Sequence, residues 1–137
     1  MQHTTNYHDT FIEIADDSPV KTAEVPPVKG EKQTVANLQY DLLIDAPYRY
    51  TSDDLLFQVH AIRHAIDKGE LEAEREKFFS KGQACMRASP LTKRYGWGVH
   101  SDAAGRIALY AAGSAEYEKF VKDGKVKKLK AMRSGRG

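Results

Sequence analysis

Apolar positions recur along this chain in two rhythms, one of period two and one close to 3.6. At residues 10–15, "TFIEIA" alternates, with Ile12 and Ile14 on one side and Phe11 and Glu13 on the other, as in a short strand. "DDSPVKTAEVPPVKGEKQ" (16–33) then supplies prolines and few large apolar groups, which reads as a loop of unusual length. Helical spacing begins at "TVANLQYDLLIDAP", where Val35, Leu38 and Leu42 share a face, Thr34 is available as N-cap and Pro47 stops the element. "YTSDDLLFQVHAIRHAIDKG" carries the clearest helix. Thr51 and Asp54 have capping-box spacing, Leu55, Val59, Ile62 and Ile66 form the inward stripe, and Gly69 suits the C′ position. "ELEAEREKFFSKG" continues as a further helix with Leu71 and Phe78 inward, ending at Gly82.

The period returns to two in the last third. "GWGVHS" and "RIALYAA" are short strands joined by "DAAG", a turn-forming connection. Ser114 caps "SAEYEKFVKDG", whose Tyr117, Phe120 and Val121 face inward. "KVKKLKAMR" fits an edge strand whose lysines discourage unwanted pairing, with a helix as the alternative. The order implies an α+β fold: one domain over residues 1–132, a small, mainly antiparallel sheet, about four helices, and a basic flexible tail at 133–137.

Charge changes this picture only at the C-terminal end. The net charge is +2, yet the last fourteen residues hold six cations (Lys125, Lys127, Lys128, Lys130, Arg133 and Arg136) and no acid, leaving −4 on the remainder. Such an end suits an anionic partner such as nucleic acid, or is a solvated strand and tail. A single cysteine, Cys85, excludes an internal disulfide and a CxxC site. "MQHTTNYHD" lacks the basic and apolar regions of a secretory leader and reads as a mobile arm. No apolar run approaches a membrane span, so a cytoplasmic protein without a membrane partner is expected.

Candidate chemistry concentrates in "CMRASPLTKRYGWGVHS", residues 85–101. Ser89-Pro90 is a helix start, so the amides of Leu91 and Thr92 can face an anion, with Arg87 and the Thr92 hydroxyl beside them and Lys93 and Arg94 following. The competing account is purely structural: Ser89 satisfies those amides, and Lys93 and Arg94 complement the helix end. Trp97 shares a face with Val99 and suits the core, whereas Tyr95 is a candidate stacking surface for a ring or base. Cys85 and His100 form a possible nucleophile–base pair, although nothing in the spacing brings them together. His60 and His64, four residues apart, have the spacing at which two imidazoles can share a metal, but no third ligand is evident and the pair reads as a solvated face. The acid pairs Asp16–Asp17 and Asp53–Asp54 belong to a loop exit and a helix cap. Walker, GxGxxG and GxSxG patterns are absent, and no cofactor is indicated.

The blocks "TFIEIADDSPV", "PYRYTSDDLLFQVHA", "FFSKGQACMRASPLTKRYGWGVHSD" and "KAMRS" resemble a small bacterial and fungal family bearing a domain-of-unknown-function label, DUF6157. The resemblance implies a single collinear domain and transfers no catalytic residue. The expected function is therefore a small binding module for a phosphate- or carboxylate-bearing molecule, held by Arg87, Ser89, Thr92, Lys93, Arg94, Tyr95 and Trp97. Nucleic-acid binding through the basic C-terminal edge and Tyr95 is the alternative, and a Cys85/His100 hydrolase or transferase the third.

Overall fold

Strand β1 (Thr10–Glu13) opens the fold, followed by helices α1 (Val35–Ile44), α2 (Ser52–Arg63), α3 (Leu71–Phe78) and α4 (Pro90–Lys93). A hairpin of β2 (Trp97–Ser101) and β3 (Ile107–Ala111), helix α5 (Ala115–Lys122) and strand β4 (Lys127–Lys130) complete the computed structural model, which describes residues 2–28 and 30–134. The sheet order is β3-β2-β1-β4. β1 runs antiparallel to β2 and β2 to β3, while β4 joins the edge parallel to β1, so the chain is a mainly antiparallel α+β domain.

Alternation along the strands builds a core on each face of this sheet. Ile12, Val99 and Ile107 point toward α1 and α2 and meet Leu38, Leu43, Leu55, Val59 and Met86. Each such side chain, taken out of water, contributes roughly 1.5–3 kcal/mol. Phe11 and Ala112 point the other way, against Tyr117 of α5 and its partly buried neighbour Phe120. Gly98 belongs to that second face: a Cβ there would lie 2.6 Å from Phe11 Cζ and 2.7 Å from Tyr117 Cε2. The missing side chain lets the two rings rest on the strand in a T-shaped pair, 5.1 Å between centroids.

Both long helices start with reciprocal capping boxes, Thr34 with Asn37 and Thr51 with Asp54. Helix α2 is shorter than the periodicity predicts. It stops at Arg63, and Ala65, at φ 47°, takes the left-handed position expected for Gly69. The Ile66 amide reaches back to the Ala61 carbonyl and that of Ala65 to Ile62, a Schellman closure. Ile62, expected in the inward stripe, is 44% exposed. The second buried side of α2 is instead Phe57 and Ala61, which pack on Phe79 after α3.

The N-terminal arm, expected to be mobile, and the long loop are both docked. In the N-terminal arm, Thr5 donates its amide and hydroxyl to Asp53 Oδ1, each at 2.7 Å, and the Thr4 hydroxyl takes Oδ2 at 2.7 Å. Asp53 thus anchors the arm at the start of α2 besides complementing the helix dipole. The long loop lies along the ends of β2 and β3: Ala23 and Glu24 donate to the carbonyls of Ala112 and Tyr95. Of the expected tail, the Ser134 amide donates to Asp17 Oδ2, and residues 135–137 lie outside the described residues.

Candidate functional site

The stretch around Ser89 folds as a closed turn. Ser89 is buried; its hydroxyl accepts from the Leu91 amide at 3.1 Å and donates to Gln39 Oε1 at 2.5 Å. Thr92 is fully buried and its hydroxyl donates to the carbonyls of Met86 and Ser89, at 2.8 and 3.1 Å. The two hydroxyls expected to face an anion are turned inward, because α4 is only four residues long and wedged between α1 and β2. Arg87 closes the end of the β4 edge: its Nε donates to the Lys130 carbonyl at 2.7 Å, and the Met132 amide donates to the Arg87 carbonyl. The side chains of Lys93 and Arg94 form no hydrogen bond or ion pair among the described residues.

Tyr95 is half-buried, and its carbonyl binds the incoming loop. Trp97 is half-buried rather than a core residue: its indole N–H donates to the Glu24 carbonyl at 2.8 Å, and its ring meets Tyr40. Along the basic edge, Lys130 pairs with Asp16 at 2.7 Å and Lys128 donates to the Asp123 carbonyl.

Cys85 and His100 are not brought together. Val99 points toward the α1/α2 core, so His100, the next residue in the strand, points to the opposite face and stacks on Phe120 of α5 at 4.3 Å. Its Nδ1 lies 2.8 Å from the Tyr48 hydroxyl, which is 2.7 Å from the Tyr110 hydroxyl. Burial holds the imidazole below the usual histidine range, against the pull of Asp102, and pushes the Tyr48 phenol well up, with Tyr110 reinforcing the shift. Tyr48 adopts φ 61°, rare for a bulky residue, in the α1–α2 loop that pairs with the outer edge of β3. That conformation accompanies the reach of its phenol to the α5 face.

Cys85 lies on the helical side, where a cleft of about 350 Å³ opens between α1, α2, the end of α3 and the Cys85–Pro90 segment. Val35, Leu56, Val59 and Phe78 form its apolar walls, and Gln39, His60, Arg63, Gln83 and Ser89 its polar points. Cys85 Sγ shares a 3.2 Å hydrogen bond with the Tyr7 hydroxyl. Burial raises the Tyr7 phenol, Cys85 adds to the effect and Arg87 opposes it. A second cleft, about 550 Å³, shares His60, Phe78 and Gln83 and adds His64, Glu74, Lys77 and Lys81. The His60 ring sits 4.6 Å from that of Phe78 and 4.4 Å from that of His64. Among the described residues, no group of three potential metal ligands gathers here or elsewhere.

Arg63, Lys77, Phe78, Lys81 and Gln83 as lining residues, and the Tyr48–His100–Tyr110 cluster, were not foreseen from the sequence. The first set had a partial signal: Val59, His60 and Arg63 lie within one turn of α2. Nothing local foretold that α3 would close against that turn.

No helix among the described residues is long and apolar enough to cross a membrane. No curated protein and no solved structure matches the chain. A model of a family of unknown function, DUF6157, matches residues 2–137, and the chain belongs to that family.

Proposed function

We propose that this protein binds a small organic anion, a carboxylate or phosphate on an apolar body, in the 350 Å³ cleft between α2, α3 and the Cys85–Pro90 segment. One observation carries the proposal. The guanidinium-bearing Arg63 lines a recess of mixed apolar and polar walls and forms no hydrogen bond or ion pair among the described residues. A recess of this kind combines apolar burial for affinity with a few polar groups for orientation. The planar fork of Arg63 suits a carboxylate or phosphate, and Gln83 adds a side-chain amide. The ligand class is the one expected from the sequence; the residues that hold it are different. Ser89 contributes to the wall, while Arg87 and Thr92 serve the fold.

A thermal-shift series with benzoate, phenyl phosphate and inorganic phosphate tests this, with Arg63→Ala alongside. A ligand at a hundred times its Kd adds about 2.7 kcal/mol, several degrees of Tm in a domain of this size. The expected outcome is a shift with benzoate or phenyl phosphate that Arg63→Ala loses. No shift with any probe, or an equal shift in the variant, removes the site.

A further inference from the structure

The two clefts meet at one wall, made of His60, Phe78 and Gln83. On one side of it stands Arg63; on the other stand His64, Lys77 and Lys81, with Glu74 the one acid among the lining groups. None of these three side chains, nor Arg63, forms a hydrogen bond or ion pair among the described residues. Cationic character is thus present on both sides of the shared His60–Phe78–Gln83 wall, Arg63 in one cleft and Lys77 and Lys81 in the other.

Resting on the ligand class proposed above, we infer that the natural ligand carries two anionic groups on a flat, apolar core: one is held at Arg63, the other at Lys77 and Lys81, with the core against Phe78 and His60, and it enters together with a proton.

The proton follows from electrostatics around His60. From its own helix it faces His64 and Arg63; from α3 it faces Glu74 and Lys77; Lys81 comes from the segment after α3. Burial holds the His60 ring below the usual range, His64 and Arg63 push the same way, and Glu74 opposes them. An anion on either side of the ring supplies what the site lacks and favours imidazolium. By linkage, a ligand that raises the affinity of His60 for a proton must itself bind more tightly as the pH falls, until the ring of the free protein, held below the usual histidine range, is itself protonated.

The test uses 4-sulfobenzoate, a rigid dianion whose groups do not titrate near neutrality, against benzoate, which has only the carboxylate. Isothermal titration is run at pH 7.5 and 6.0, and in two buffers of different ionisation enthalpy so that proton uptake is read directly. The inference expects 4-sulfobenzoate to bind about tenfold more tightly than benzoate. That advantage should vanish in the Lys77→Ala/Lys81→Ala double variant, while benzoate binding is unchanged there. Proton uptake should accompany 4-sulfobenzoate binding and disappear in His60→Gln. Equal affinity for the two probes, or binding with no proton uptake, overturns the two-anion ligand and leaves the single-anion cleft standing if Arg63→Ala still abolishes benzoate binding. Failure of both probes to bind overturns the cleft and the inference together.

Discussion

His60 and His100 have much in common and are put to different uses. Each packs its ring on a phenylalanine, Phe78 at 4.6 Å and Phe120 at 4.3 Å, and burial holds each below the ordinary histidine range. His100 is enclosed in a hydrogen-bonded chain: the ordering that serves a neutral ring runs from Tyr110 through Tyr48 to Nδ1. His60 has no such partner among the described residues and borders two clefts. A polar group that is satisfied internally stabilises the fold; one left beside unpaired cations is available to a ligand. On the α5 face the histidine itself is closed off, although a cleft of about 320 Å³ lies beside Tyr110 and Phe120; on the α2/α3 face the histidine is open.

The largest expected effect tests the α5 face. Gly98→Ala would drive a methyl group into Phe11 and Tyr117, two buried rings. Overpacking of this kind costs about 1–3 kcal/mol, sometimes more, and a denaturant midpoint measures it. Arg63→Ala is the matching change on the α2/α3 face. It should weaken benzoate binding by ten- to a hundredfold, about 1.5–3 kcal/mol, while the melting temperature without ligand hardly moves. A large loss of stability in that variant would show Arg63 to be structural and erase the contrast.

Tyr48→Phe comes next. It leaves Nδ1 of His100 and the Tyr110 hydroxyl without their shared partner and should cost about 1–2 kcal/mol, with ligand affinity unchanged. The same cluster sets a pH dependence. His100 binds a proton more weakly in the folded than in the unfolded chain, so its contribution is complete above about pH 6.5 and is lost as the pH falls below that value. His100→Gln can still accept from Tyr48 and does not titrate, so it should flatten the acid limb of a Tm-against-pH curve. An unchanged limb would place the acid sensitivity elsewhere. The smallest effect is assigned to Arg87→Ala: about 1 kcal/mol, for the lost hydrogen bond to the Lys130 carbonyl, and no change in benzoate affinity. Weaker benzoate binding in Arg87→Ala would return the site to the turn where the sequence first suggested it.

Much of the fold was legible because it depends on neighbours in the chain. Thr34, Thr51 and Ser114 cap helices within a few residues of themselves, and the alternation of the hairpin strands is a local property. Even β4 was recognisable as an edge from its lysines. What failed were inferences from spacing to surroundings. Ser89 and Pro90 do start a helix, yet whether its amides face solvent depends on Gln39, fifty residues away in sequence. Cys85 and His100 are separated by the sheet, and its topology is invisible from their positions. His64 is exposed on the outer side of α2 as its spacing suggested, but α3 comes back to place Phe78 over His60.

Periodicity and capping were therefore sufficient for the elements and for the class of the fold, since those are decided within a turn or a strand. Which histidine was closed off and which was left open was decided by long-range packing. The parallel docking of β4, the reach of Tyr48 around β3 and the fold of α3 against α2 each join residues far apart in sequence. Such contacts form only once the whole core has made loop closure worth its entropy, and they alone determine whether a histidine, an arginine or a serine is used up by the fold or left for a ligand.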